Sequence, residues 1–308
     1  MFATKTQQVS SRNWRLLIFR FVAALITLVF VAVAGAEYIQ AWVLRAPAES
    51  VHLWHIAELV ALLGILLGGT LLSLMHRPQD KPLLAQFFVI SMVLCAIGIM
   101  PFEIKAGALL IIMVLFIAAF PRFRALLSFS RQGPISLSLL WFSLLLAFFL
   151  APIAWRELQW QIIGMSEGDA HALALHWIGS VLLMALLVLA GVLSATRRPG
   201  WEALGMITGV TYCFLGVTAM ILQDAYAGSW SGGLGLIAII AGVWYIIISL
   251  RGAHMLPAAE RTHTIASKSA VQRVLSSKTG TLMAAGDVPS VFRTAPLPET
   301  RVLLEAHS

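Results

Sequence analysis

Residues 54–78 read WHIAELVALLGILLGGTLLSLMHRP. Its apolar part, 54–75, has the length that carries a helix across a hydrocarbon core of about 30 Å. An imidazole and a carboxylate stand at one end, and His76-Arg77-Pro78 closes the other. Basic residues followed by a helix-breaking proline are what the cytoplasmic end of a membrane span commonly carries.

Outward from this stretch, the same ruler finds eight spans, at about 18–42, 54–75, 83–101, 106–121, 135–154, 174–195, 203–222 and 232–250. The composition agrees. Of 308 residues, 59% are hydrophobic and 11% charged, against roughly 25% charged in a soluble domain, so a soluble fold is excluded. The net charge of +7 is spread over short connections and forms no cluster that would grip a nucleic acid. Cys95 and Cys213 lie inside apolar runs, where free cysteine acts as a small hydrophobe.

Lys5, Arg12, Arg15 and Arg20 precede the first span, Arg77 and Lys81 follow the second, Arg122, Arg124 and Arg131 the fourth, Arg197 and Arg198 the sixth, and Arg251, Arg261 and Lys268 the eighth. With eight spans these all fall on one face, and the other face holds only Arg45, Lys105 and Arg156. Positive charge marks the cytoplasmic side, so both termini are predicted to be cytoplasmic in a multi-pass cell (plasma) membrane protein. The first span resembles a secretory signal up to Ala34-Gly35-Ala36, but it is expected to be retained because it has a counterpart in the second half.

A shift of 121 residues lays His55 on His176, Ser73 on Ser194, Arg77-Pro78 on Arg198-Pro199, Glu103 on Asp224, and Ala106-Gly107 on Ala227-Gly228. The expected fold is therefore an all-α polytopic membrane protein of eight transmembrane helices in two parallel four-helix repeats, related by an axis along the membrane normal. Its divisions are a cytoplasmic segment 1–17, a first half 18–121, a cytoplasmic linker 122–134, a second half 135–251 and a mostly disordered tail 252–308, in which Ser269 to Ser276 have the composition of a short helix.

The candidate site follows from this register. His52, His55 and Glu58 are spaced i, i+3 and i+6, which puts them on one helical stripe. Imidazole with carboxylate suits zinc, copper or haem iron better than calcium or magnesium. Glu58 stands a turn inside the membrane, where an ionisable group needs a partner or a job. His55 and His176 come at equivalent outer ends, and Glu103 and Asp224 at the same rim as further ligands or as acceptors for the other ring nitrogens. The metal-ligand candidates are thus His52, His55, Glu58, His176, Glu103 and Asp224, with His55 and His176 as a cofactor-binding pair. His171, five residues before His176, has poor same-face spacing and is placed in the loop. The bland alternative is that these histidines are interfacial, like the neighbouring Trp54 and Trp177 of an aromatic belt.

Other features read as structure. Thr208, Thr211, Tyr212, Leu215 and Thr218 form a partly polar stripe, and Gly205 with Gly209 a small-residue pair, both signs of close helix packing. There is no phosphate loop, nucleophile elbow or His-Glu-x-x-His signature.

Two four-helix halves with cytoplasmic termini and outer-rim histidines on the second helix of each, His55 and His176, resemble the layout of haem A synthases and, more loosely, of copper-resistance D-type membrane proteins. The resemblance implies haem or copper at those positions. Haem A synthases also carry a histidine on the fourth and eighth helices, and 106–121 and 232–250 contain none. The reading the sequence supports best is a non-catalytic membrane subunit or assembly factor, in the lipid bilayer and with a protein partner at the cytoplasmic tail. The alternatives are a haem- or copper-binding redox or metal-handling protein and a proton-coupled small-solute transporter.

Overall fold

No water reaches the backbone inside a bilayer, so each apolar stretch must close its own hydrogen bonds as a helix. A computed structural model of the chain describes residues 3–44, 50–121, 123–222, 230 and 232–254, and among these there is no strand. Seven helices are long and apolar enough to cross a membrane: α1 (Trp14–Val43), α2 (His52–Met75), α3 (Pro82–Ile99), α5 (Leu137–Glu167), α6 (His176–Ala195), α7 (Trp201–Ile221) and α8 (Gly233–Gly252). Where the sequence places a fourth span lies a shorter apolar helix, α4 (Gly107–Ala119). Its 13 residues rise about 20 Å, less than the hydrocarbon thickness.

The share of buried residues sorts these helices into layers. It is 56 to 61% in α2, α3, α6 and α7 and 22 to 33% in α1, α5 and α8. The first four form the centre, where each of α2 and α3 touches each of α6 and α7. Around them, α1 lies against α2 and α4, and α4 against α3. On the other side α5 packs on α6, and α8 runs along α7. A 2.6 Å hydrogen bond between the hydroxyls of Ser143 and Tyr245 joins α5 to α8.

The fifth helix corrects the sequence reading, which ended its span at 154 and left 155–173 as a loop. The helix continues to Glu167 because its buried stripe does, running from Leu139, Ser143 and Leu146 through Ile153 to Glu157, Gln161 and Gly164 in steps of three and four. Hydropathy falls at Arg156, but the helical period persists.

Two local devices shape the centre. In α2 the residues Val60–Gly68 wind as a π-helix directly after Glu58. Gly68 suits that wider turn, since a Cβ there would stand 2.9 Å from the Leu63 carbonyl oxygen. Between α7 and α8 the glycines make a backbone contact: a Cβ on Gly209 would meet the Gly242 carbonyl at 2.6 Å, and one on Gly216 the Gly235 carbonyl at 2.5 Å. The hydroxyls of Thr208, Thr211 and Thr218 donate back to carbonyls one turn earlier, so that stripe serves helix packing.

The ends of α2 and α6 opposite the histidines carry the arginines. Arg20 donates to the Met75 carbonyl at 3.0 Å and Lys81 to that of Ser73 at 2.8 Å, which satisfies the last carbonyls of α2. Arg198 is buried and donates to Gln86 and to the Ser128 carbonyl, clamping the segment after α4.

Candidate metal centre

The first turn of α2 brings His52 and His55 to one face. The opposing residues come from the short connection between α5 and α6. Gly168, at φ 75°, ends α5, and Asp169 caps the one-turn helix Ala170–Leu173 by accepting from the Ala172 N–H at 3.0 Å. Leu175 then takes a left-handed conformation, φ 63°, and α6 starts at His176. On one continuous helix, residues 171 and 176 would point apart; the break at Leu175 folds His171 back beside His176, with ring centroids 5.7 Å apart.

Gln161 of α5 holds this connection. It is fully buried, donates to the Ala172 carbonyl at 2.8 Å and accepts from the Ile178 N–H at 3.1 Å. Gly164 leaves room beneath, since a Cβ there would come within 2.7 Å of the Ala172 methyl. Asp169 also accepts from the Trp177 indole at 3.2 Å. Burial pushes its carboxyl up, but the bonds from Trp177 and Ala172 and the neighbouring His171 outweigh this and hold it below the usual carboxylate range.

Four imidazoles meet as a result. One ligand nitrogen from each of His52, His171 and His176 lies within 4.8 Å of the other two, and all three residues are half-buried. His55 is buried and stacks on His176, with centroids 5.0 Å apart and planes at 30°. Its ring is also perpendicular to that of Trp177, with centroids 4.8 Å apart. The Nδ1 of His176 is buried and has no hydrogen-bond partner among the described residues.

Beneath the imidazoles, Glu58 is buried and its Oε2 lies 3.0 Å from Nδ1 of His55. Ser180 of α6 donates to the same oxygen. The Glu58 contact and the Ser180 bond fix the orientation of the His55 ring. Glu58 thus ties α2 to α6. The same end of the bundle contains a cavity of about 470 Å³ between α1, α2, α3, α4 and α6, with Glu58, His52, His55 and His176 in its wall.

Of the residues singled out in the sequence, the structure brings His52, His55, Glu58 and His176 together. Glu103 sits in the turn after α3 and belongs neither to the imidazole cluster nor to the cavity wall. Asp224 lies outside the described residues. His171 and Ser180 are additions. The sequence signal for His171 was the Gly168-Asp169 pair, a helix stop followed by a helix cap, which announces a turn short enough to return it to the start of α6.

Three imidazoles and a nearby fourth suit zinc or copper, whose bonds to histidine nitrogen are about 2.0 to 2.1 Å for zinc, and not the oxygen-seeking calcium or magnesium. Donor nitrogens around a tetrahedral ion stand roughly 3.3 Å apart at such bond lengths, so modest side-chain rotations close the present spacing. Haem does not fit His55 and His176. Axial imidazoles oppose each other across the iron with roughly 4 Å between nitrogens, and the macrocycle lies between them. These two rings are stacked face to face at 5.0 Å and leave no slot for it.

No protein-family model, curated protein or solved structure matches the chain.

Proposed function

We propose that this chain is a multi-pass membrane protein that binds one transition-metal ion, zinc or copper, at its histidine end through His52, His171 and His176. The supporting observation is the convergence of these three half-buried imidazoles from two separate parts of the chain. His55, oriented by Glu58 and Ser180, stands behind His176 as a fourth nitrogen donor or as a packing partner of the ligand. The proposal leaves a non-catalytic membrane role in place and gives it a ligand.

The two-repeat, eight-span arrangement belongs to the same proposal. In its support, α1 to α4 and α5 to α8 use the same neighbour pairs, first with second, second with third, third with fourth and first with fourth. With that count the arginine end and both termini lie in the cytoplasm, and the metal faces outward across the cell membrane.

Equilibrium dialysis of the purified protein against zinc chloride or cupric sulfate tests the reading. We expect about one ion per chain, lost in the His52→Ala/His171→Ala/His176→Ala variant and kept in His76→Ala, which changes the opposite end of α2. Failure of the wild-type protein to retain either metal would overturn it.

A further inference from the structure

The cavity beside the imidazoles is a separate observation from their convergence. Its volume of about 470 Å³ lies within the range of small-molecule pockets, 300 to 1,000 Å³. Most of its wall is apolar, with Leu62 and Leu63 of α2, Met92 and Ile99 of α3 and Leu109 of α4 among the residues that face it. Its polar groups are few and convergent: three imidazoles, Ser180 and the carboxyls of Glu37 and Glu58. Such a lining fits an amphiphile whose tail stays apolar while one head group forms hydrogen bonds.

The charges of the wall narrow the head group. Among the described residues it contains two carboxyls and no lysine or arginine, so in the metal-free protein the anionic head of a fatty acid or a phospholipid meets no counter-charge from them. A neutral head with oxygen acceptors meets imidazole N–H donors, and a flat head can lie against rings already arranged to stack. We infer that the cavity binds a quinone or quinol with an alkyl or isoprenoid tail, its ring toward His52, His55 and His176 and its tail between Leu63, Met92 and Leu109. This binding does not depend on the metal.

The second half suggests the variant that tests it. In the 121-residue register Leu109 corresponds to Trp230, which is buried against Trp54 and Tyr212 at 6.0 and 6.1 Å between ring centroids. Leu109→Trp would put the same bulk into the cavity. The experiment titrates the full chain, freed of metal by a chelator, in nanodiscs with a decyl-substituted benzoquinone, with palmitate as the anionic competitor.

We expect saturable binding of one quinone per chain, no displacement by palmitate, and at least tenfold weaker binding in Leu109→Trp with metal stoichiometry unchanged. A photoreactive azidoquinone provides a readout that needs no variant, and should label peptides of α2, α3 or α6. Non-saturable binding, equal competition by palmitate, or label confined to α5 would overturn the inference. Quinone binding that survives in a protein without metal affinity would overturn only the metal reading, and the converse result only this one.

Discussion

In α3 and α4, Phe88 and Phe116 meet at 4.6 Å between ring centroids, and Phe19 of α1 packs on the same ring at 5.6 Å. In α7 and α8, glycines bring the two backbones together. The 121-residue register sets Phe88 against Gly209 and Cys95 against Gly216, so the residues it pairs are bulkier in α3 than in α7. Toward their histidine end, Cys95 of α3 and Leu109 of α4 face the cavity. Trp230 occupies the corresponding place in the second half. The cavity is thus enclosed by α1 to α4 together with α6, while α7 and α8 are joined closely beside it, and the imidazoles stand between α2 and α6.

Metal binding probes that division most strongly. If the site belongs to both halves, His52→Ala from α2 and His171→Ala from the connection before α6 should each weaken zinc binding about 100-fold or more, beyond the 10- to 100-fold typical of groups that only orient ligands. A loss confined to one of the two, read by competition with a chromogenic chelator, would assign the site to one half.

The next largest effect concerns packing. Gly216→Leu must force α7 and α8 apart against the Gly235 carbonyl, and we expect a loss of about 3 kcal/mol or more, at the upper end of overpacking costs. Cys95→Leu, at the equivalent position, adds its volume beside a cavity and should change stability by less than about 1.5 kcal/mol. Thermal unfolding of the two variants in detergent measures the contrast, and similar losses would break it.

Much of the bundle was legible because its signals are periodic and local. The apolar lengths marked eight spans, of which seven are helices long enough to cross a membrane and the fourth is a shorter apolar helix, and the i, i+3 and i+6 spacing put His52, His55 and Glu58 on one stripe. His171 was set aside as a loop residue because helical spacing assumes an unbroken helix, whereas the chain breaks at Leu175 and the Gly168-Asp169 stop and cap mark the short turn that returns it. The end of α5 was missed for a related reason: a hydropathy ruler stops at Arg156, whereas the buried face carrying Glu157 and Gln161 goes on. The cavity is walled by residues of α1, α2, α3, α4 and α6, a meeting of distant residues that no local pattern records.

Two smaller effects sharpen how the wall presents its ligands. Gln161→Leu leaves the buried Ile178 N–H without its partner, a loss that costs about 1 to 3 kcal/mol, and removes one bond to the Ala172 carbonyl, which keeps that from the Leu175 N–H. We expect zinc affinity to fall about tenfold while α7 and α8 keep their packing, which hydrogen exchange on α7 and on residues 169–175 would separate. The smallest effect is that of Asp169. Its carboxyl is held below the ordinary value, so its stabilising bonds are fully present above about pH 4 and fade as pH falls further. The stability difference between wild type and Asp169→Ala should therefore stay constant from pH 6 to 8 and vanish on strong acidification. Zinc should leave at higher pH, since imidazole ligands must be neutral to bind.

X-ray absorption at the zinc edge of the loaded protein tests the central claim most directly. The account predicts a shell of at least three histidine nitrogens at about 2.0 to 2.1 Å, reduced by one in His171→Ala. A shell of oxygen alone, or a spectrum that His171→Ala leaves unchanged, would contradict it.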